Sequence, residues 1–109
     1  MTRDYCFVGD VVQANLLALD RGDGEAINIG TTVATHTLDL FWAIYGVIKE
    51  VRPELTDALR DPAMGAARAG DLTRSCLKIE KATDLLGFAP THDLLAGLRK
   101  TLQWRLHGE

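Results

Sequence analysis

The sequence lacks several features that would have indicated a function directly. It has no apolar run near the roughly 20 residues of a membrane-spanning helix, and no basic region leading into an apolar one as in a signal peptide. Its two cysteines, Cys6 and Cys76, are far apart, so neither a zinc site nor a disulfide scaffold is predicted. The net charge of −3 provides no positive field for nucleic acid. These absences favour a cytoplasmic protein with reduced thiols that binds neither membranes nor nucleic acid.

Motifs of common nucleotide and hydrolase sites are also missing. The sequence contains no Gly-x-Gly-x-x-Gly, no Gly-x-x-x-x-Gly-Lys and a single serine, Ser75, which excludes a Rossmann phosphate loop, a P-loop and a serine nucleophile elbow. The three histidines stand in unrelated contexts and are interpreted as structural or surface residues. What is present is an ordinary globular composition, 47% hydrophobic and 25% charged over 109 residues. This length predicts one small domain or a part of a larger one.

The order of apolar and turn-forming residues predicts a mixed α/β (α+β) chain with about five helices and three short strands. The strands are predicted at Tyr5–Val8, Ala26–Ile29 and Leu72–Leu77. The helices are predicted at Val11–Leu19 after an Asp10 N-cap, at Leu38–Val51 after Thr35 or Thr37, at Glu54–Arg60, at Ile79–Leu86 before a Gly87 C-cap, and at Leu94–Leu106 after an Asp93 N-cap. The second helix is so broadly apolar that it is expected to be covered on more than one side.

A few polar residues lie where an anionic ligand could bind. Arg3 precedes the first predicted strand and Arg68 lies in a Gly/Ala loop, and each guanidinium offers a planar fork of donors that suits phosphate oxygens. Asp71, three residues after Arg68, is an acceptor for sugar hydroxyls. Asn28 lies at a predicted strand–turn–helix junction, where ligands often bind. On spacing alone, each of these residues is also explained as a solvated surface or turn residue.

Five segments, taken in order along the chain, are more specific than any single residue. They are Arg3–Val11 (RDYCFVGDV), Asn28–Thr31 (NIGT), Ala67–Asp71 (ARAGD), Ile79–Ala82 with Leu86–Pro90 (IEKA and LGFAP), and Gly97–Trp104 (GL…W). In this order they resemble the C-terminal part of the extended short-chain dehydrogenase/reductases, the NAD-dependent nucleotide-sugar epimerases and dehydratases of the UDP-glucose 4-epimerase type.

The resemblance implies roles for the polar residues named above. Arg3 and Arg68 would contact the substrate diphosphate from two sides, and Asp71 would hold the ribose hydroxyls of the nucleotide. Asn28 would lie near the nucleotide pocket, and Tyr5 would shape its phosphate end. Two guanidinium groups facing a diphosphate and one carboxylate facing a diol form a chemically coherent set. Leu86, Pro90 and Trp104 are assigned to packing.

The sequence departs from the family pattern in several places. Ala69 replaces the usual proline, so the loop that contains Arg68 loses a fixed φ angle. Thr32 stands where the family usually has glycine, which tightens the turn after Asn28. The cofactor loop Gly-x-x-Gly-x-x-Gly and the catalytic Tyr-x-x-x-Lys pair of the family are absent. Tyr45 and Lys49 match the spacing of that pair, but they lie in the apolar helix and are rejected as its equivalent.

These observations lead to two hypotheses about the chain. In the first, residues 1–109 form a single partial domain, the C-terminal substrate-binding region without the N-terminal Rossmann half, so the chain binds no NAD and is not catalytic alone. Affinity for a nucleotide-diphosphate sugar is then weak or lost. In the second, the chain is a stand-alone interaction module derived from such an enzyme, which self-associates through uncovered apolar faces. A complete small enzyme that uses Tyr45 and Lys49 ranks well below both.

Overall fold

The computed structural model describes residues 1–54, 60–66, 69–71 and 73–108. In these ranges the chain forms four helices and one two-stranded sheet, in the order β1 (Thr2–Arg3), α1 (Val8–Ala18), β2 (Thr35–His36), α2 (Thr37–Val51), α3 (Glu80–Leu86) and α4 (Leu94–His107). The mixed α/β class is therefore confirmed. The counts of about five helices and three strands differ from the architecture of the described residues, and the predicted helix at Glu54–Arg60 lies largely outside them.

The small sheet forms at positions that the sequence did not indicate. β1 and β2 pair antiparallel, with Thr2 opposite His36 and Arg3 opposite Thr35. The backbone N–H of Thr2 also donates to the carbonyl of Thr73 at 2.9 Å, and the N–H of Ser75 donates to the carbonyl of Thr2 at 3.0 Å. Residues 73–75 therefore run beside β1 on the edge opposite β2.

The three predicted strands are wrong as strands. Tyr5–Val8 is extended only as far as Phe7, because α1 begins at Val8, and Ala26–Ile29 is irregular. In the third predicted segment, the described residues 73–77 contribute one isolated bridge, between Thr2 and Arg74. Strand formation requires a neighbouring ladder as well as β-favouring side chains, and in the described ranges only β1 and β2 form one.

Helix ends were predicted correctly where the capping group is local. Asp93 accepts the backbone N–H of Ala96 at 2.8 Å and caps α4, and Gly87 ends α3 in the left-handed conformation with φ 70°. The other two N-caps are wrong. Phe7 precedes α1 in place of Asp10, and His36 precedes α2 in place of Thr35 or Thr37.

The core is thin, and much apolar surface remains outside it. One buried cluster holds α1 against α3 and the segment that follows α3; it consists of Ala14, Ala82, Leu86 and Phe88. α2 packs along α4 and buries Val47. The molecule measures 50 × 37 × 18 Å, and its radius of gyration of 16.5 Å exceeds the roughly 13 Å of a compact chain of this size. An 18 Å thickness holds about two helix layers, so each layer has an uncovered side.

Uncovered apolar residues occur on several helices. On α1, the side chains of Val8, Val12, Leu16 and Leu19 at the helix end are 51–82% exposed. On α2, Leu38, Trp42, Ile44 and Val51 are exposed too. Trp104 was assigned to packing, but 59% of it is exposed on α4, whereas Leu86 packs as expected. The sequence predicted that α2 is covered on more than one side. In the structure, several of its apolar side chains are exposed instead.

Candidate functional site

The Asp4 carboxylate binds the turn that follows Gly30. The backbone N–H of Thr31 donates to both oxygens of Asp4 at 3.0 Å, and the N–H of Thr32 donates to Oδ2, also at 3.0 Å. The Thr31 hydroxyl donates to Oδ1 and accepts the N–H of Val33 at 3.1 Å. Asp4 is half-buried, and the bonds that end on its carboxylate oxygens are of the strong, charge-assisted kind. The carboxylate therefore fixes residues 31–33 against the end of β1.

Gly30 allows this close approach. A Cβ placed on Gly30 would lie 2.6 Å from Asp4 Oδ2 and 3.3 Å from the Cβ of Leu77. No side chain larger than hydrogen fits between the carboxylate and Leu77 without displacing one of them. Three segments that are distant in sequence, at residues 2–4, 30–32 and 73–77, therefore meet around Asp4.

Thr32 adopts an unusual backbone conformation in this turn. Its φ is 68°, and among the non-glycine residues of the described ranges it is the one with a positive φ. A β-branched residue in the left-handed region is strained by about 1–3 kcal/mol. This is the position at which the sequence has threonine in place of a glycine, and the bond from its N–H to Asp4 holds the strained turn in place.

A cavity of about 310 Å³ opens beside the Asp4 cluster. Its lining combines hydroxyl groups, one carboxylate and apolar side chains, and its volume falls at the small end of ligand pockets. The lining residues are Tyr5, Thr31, Val33, Thr35, Asp93, Leu94 and Leu95. The cavity therefore lies between β2, the start of α4 and the turn that Asp4 binds.

Four of the five residues singled out from the sequence lie in the part of the chain that the structure describes. Tyr5 lines the cavity, and Asn28 is an exposed residue two positions before Gly30. Arg3 lies on β1, where its guanidinium donates to the carbonyl of Thr2 at 2.9 Å. Asp71 is exposed two positions before the Thr73 that pairs with β1. Arg68 lies outside the described residues. The roles that the resemblance assigns to these five residues stay predictions.

A second buried carboxylate, Asp10, ties the start of α1 to the loop before α4. It is 1% exposed, and it accepts the Thr91 hydroxyl at 2.6 Å and the His92 backbone N–H at 3.2 Å. The His92 ring stacks on Phe7 with the ring centroids 4.5 Å apart. Burial alone would raise the pKa of Asp10, but the hydrogen bonds from Thr91 and His92 outweigh it and leave that pKa below its ordinary value. Asp10 is thus a tertiary anchor.

Asp4 and Asp10 are the residues that the sequence interpretation missed. Asp4 was quoted only as part of a motif, and Asp10 was assigned to a helix cap. The available signal was that Asp4 directly precedes an apolar run and Asp10 stands within one, where a charged side chain needs partners. Their partners lie 27 and 28 positions away for Asp4 and 81 and 82 for Asp10, beyond the reach of a local pattern.

Tyr45 and Lys49 lie one turn apart on α2. The Lys49 ammonium donates to the Tyr45 hydroxyl at 3.4 Å and lies 5.5 Å from the centre of its ring. Such contacts are expected for an i, i+4 pair on a helix. Within the described ranges, no group of three or more His, Cys, Asp or Glu residues forms a potential metal site, and none of the helices found there is long and apolar enough to cross a membrane.

Comparison with known proteins gives consistent matches to one group of enzymes. The sequence is 38% identical over 104 residues to a UDP-glucose 4-epimerase of Mycolicibacterium smegmatis, covering 94% of this chain and 31% of that protein. It is 30% identical over 105 residues to a dTDP-glucose 4,6-dehydratase of Salmonella typhimurium, covering 95% and 29%. The chain thus spans about 30% of the length of these curated relatives. No protein-family model matches the sequence.

The fold matches the same group of enzymes. A UDP-glucose 4-epimerase from Thermotoga maritima, solved with UDP-glucose, superposes with a TM-score of 0.79 and 37% identity over 99% of this chain and 33% of that one. A UDP-glucuronic acid 4-epimerase from Bacillus cereus, solved with a fluorinated UDP-sugar and NAD, superposes with a TM-score of 0.71 over the same shares. At 23% identity, the second match concerns the fold alone.

Proposed function

We propose that this chain, which corresponds in sequence and fold to the C-terminal part of an extended short-chain dehydrogenase/reductase, supplies substrate-binding residues for a nucleotide-diphosphate sugar. The observation that carries the proposal is the match over 99% of the chain to an enzyme solved with UDP-glucose. The meeting of residues 2–4, 30–32 and 73–77 around Asp4 supports it, because these segments contain Arg3, adjoin Tyr5, and begin two residues after Asn28 and Asp71. The chemistry of an epimerase or dehydratase then requires more than this chain.

The residues of this chain do not fit the NAD site of the complete enzymes. The sequence has no glycine-rich phosphate loop, and the two strands of the described residues do not lead into a helix through such a loop. β2 continues directly into α2 at Thr37, without a glycine between them. We therefore assign no hydride-transfer step to this chain, and we propose that it binds no NAD by itself.

The two cysteines of the chain are free thiols, which supports the proposal that the chain is cytoplasmic. Cys6 is half-buried and Cys76 is exposed, and neither forms a disulfide. Burial and the nearby carboxylates of Asp10 and Asp4 raise the pKa of the Cys6 thiol, which keeps it in its unreactive form at neutral pH. A reducing compartment suits both residues.

A titration with UDP-glucose tests the binding proposal. We expect saturable amide chemical-shift changes by NMR, at millimolar ligand because much of the complete pocket is missing. Arg3→Ala is expected to weaken binding about tenfold, since a charged hydrogen bond contributes about 1.5 kcal/mol or more. The loss should appear with UDP-glucose and with UDP, because the predicted contact is to the diphosphate.

Arg52→Ala is the matched control for this titration. Arg52 is an exposed arginine at the end of α2, outside the cavity beside Asp4. Arg52→Ala removes one positive charge, as Arg3→Ala does, and should leave the affinity for UDP-glucose unchanged. Unchanged spectra at millimolar UDP-glucose would remove the binding proposal, and equal affinities for Arg3→Ala and the unmodified chain would remove the role of Arg3.

Self-association is a second candidate function, favoured by the exposed face of α1. Val8, Val12, Leu16 and Leu19 recur at spacings of four and three, so they form one apolar stripe along that helix. The opposite side of α1, with Ala14, faces the core. A stripe of this kind is typical of a protein–protein contact. In this proposal its occupant is the same stripe of a second copy.

Charge placed on the stripe tests self-association. Val12→Glu with Leu16→Glu is expected to convert a concentration-dependent dimer into a monomer in sedimentation equilibrium, because two carboxylates per copy would be buried together. Gln13→Glu adds a charge at an exposed position of the same helix and should leave the mass unchanged. A chain that stays monomeric at all concentrations would refute this candidate.

A further inference from the structure

We infer that Asp4 is a positioning residue for the nucleotide-sugar site, and that it holds two of the predicted binding segments in register. The inference rests on the proposed function, and it adds a residue to which neither composition nor resemblance gave a role. Asp4 lies between Arg3 and Tyr5, and the turn it binds begins three residues after Asn28. A shift of Asp4 therefore moves both segments relative to each other.

The hydrogen bonds of Asp4 all use its side-chain oxygens as acceptors. Four groups donate to Asp4: the N–H groups of Thr31 and Thr32, the Thr31 hydroxyl and, at 4.0 Å, the Cys76 thiol. An Asn side chain would place an NH₂ group against at least one of these donors, so one bond would be replaced by a repulsive contact.

The segment that contains Asp71 is linked to the Asp4 cluster through backbone hydrogen bonds. Thr2 is two residues from Asp4, and it pairs with Thr73 and Ser75 just beyond Asp71. Leu77 lies against Gly30. The Asp4 cluster is thus the place where the Arg3, Asn28 and Asp71 segments are joined. Asp4 itself is expected to act through these neighbours and to make no contact with the ligand.

The strained turn explains why loss of the carboxylate changes geometry as well as stability. Thr32 keeps a positive φ while its N–H is bound to Asp4. Without that bond, a β-branched residue relaxes towards negative φ, and the 28–32 turn moves with it. A displacement of about 1 Å at such a site is enough to weaken a well-oriented contact by tenfold or more.

The test compares Asp4→Asn with Asp10→Asn in the 109-residue chain. Both carboxylates bind a threonine hydroxyl and backbone N–H groups of a distant loop, so they are matched in chemistry. Only Asp4 lies directly between two predicted binding residues, Arg3 and Tyr5. For each variant, the UDP-glucose affinity is measured by NMR titration and the unfolding midpoint by urea.

We expect Asp4→Asn to lower the affinity for UDP-glucose about tenfold or more, and to shift the amide signals of Thr31 and Thr32 in the free chain. Asp10→Asn should lower the unfolding midpoint and leave the affinity within about twofold, because neither Asp10 nor its partners Thr91 and His92 line the cavity beside Asp4. Thr31→Val should weaken binding, whereas Thr31→Ser keeps the hydroxyl and should bind as the unmodified chain does.

The outcomes separate the two proposals. If the unmodified chain does not bind UDP-glucose, the proposed function fails and the role of Asp4 fails with it. If it binds, but Asp4→Asn and Asp10→Asn lose affinity only in proportion to their lost stability, Asp4 is merely structural and this inference is wrong. A variant that unfolds is replaced by Thr31→Val and Thr31→Ser, where equal affinities would likewise contradict it.

Discussion

Replacement of Phe88 by alanine is expected to lower the free energy of unfolding by about 4 kcal/mol, the largest effect of any single change considered for this chain. Phe88 is fully buried, and it is the largest side chain of a core that otherwise consists of Ala14, Ala82 and Leu86. Two small residues cannot collapse into the cavity that a missing ring leaves. Domains are stable by only about 5–15 kcal/mol, so a large share of the stability would be lost.

Trp104→Ala is the control for this prediction. It removes a larger ring, but 59% of Trp104 is exposed, so the expected loss is below about 1 kcal/mol. Urea unfolding followed by circular dichroism measures both values. A loss at Trp104→Ala as large as at Phe88→Ala would place the stabilising core between α2 and α4, contrary to the buried cluster at α1 and α3.

The second large effect is expected at Asp10. Asp10→Ala removes the buried acceptor of the Thr91 hydroxyl and of the His92 backbone N–H, which costs about 3 kcal/mol at neutral pH. The link between α1 and the loop before α4 is lost with them. Asp84→Ala, which removes an exposed carboxylate from α3, should change stability by less than about 0.5 kcal/mol.

The effect of Asp10 is expected to depend on pH. Because the pKa of Asp10 is lowered in the folded chain, its carboxylate stabilises the fold above the unfolded pKa near 4. That contribution disappears as the pH falls through the lower, folded value. The difference in stability between the unmodified chain and Asp10→Ala should therefore shrink below about pH 4. A difference that stays constant from neutral to acid pH would contradict the role of the ionised carboxylate.

Local chemistry made some elements predictable from the sequence. The Asp93 N-cap and the Gly87 C-cap depend on bonds that span three to five residues, so the sequence near each helix end contains all the information. The burial of Leu86 follows from the apolar face of its own helix. The five ordered motifs pointed to the enzymes that the chain matches in sequence and fold, because the order of motifs along the chain does not depend on any contact.

Other features depend on partners elsewhere in the chain and could not be predicted. Ala26–Ile29 has β-favouring residues but is irregular, whereas Thr2–Arg3 forms a strand because Thr35–His36 lies beside it. Asp10 suited a helix cap on local grounds, yet its acceptor oxygens are used by Thr91 and His92. Trp104 is apolar and was assigned to the interior, but its helix turns it towards solvent.

The candidate site, too, was predictable from the sequence only in part. The types of residue suited to a diphosphate and a sugar, from Arg3 to Asp71, were evident from sequence and resemblance. Their joining through Asp4 was not, because it depends on N–H groups 27 and 28 positions away and on the close approach of Gly30.

The sequence by itself determined that these 109 residues contain no glycine-rich phosphate loop. It also determined the resemblance to the nucleotide-sugar enzymes and the helix ends whose caps are local. Only the tertiary structure decided which carboxylates are anchors and which apolar faces remain uncovered. The physical reason is that caps and helix periodicity act over a few residues, whereas burial and ion solvation depend on whatever the folded chain brings alongside.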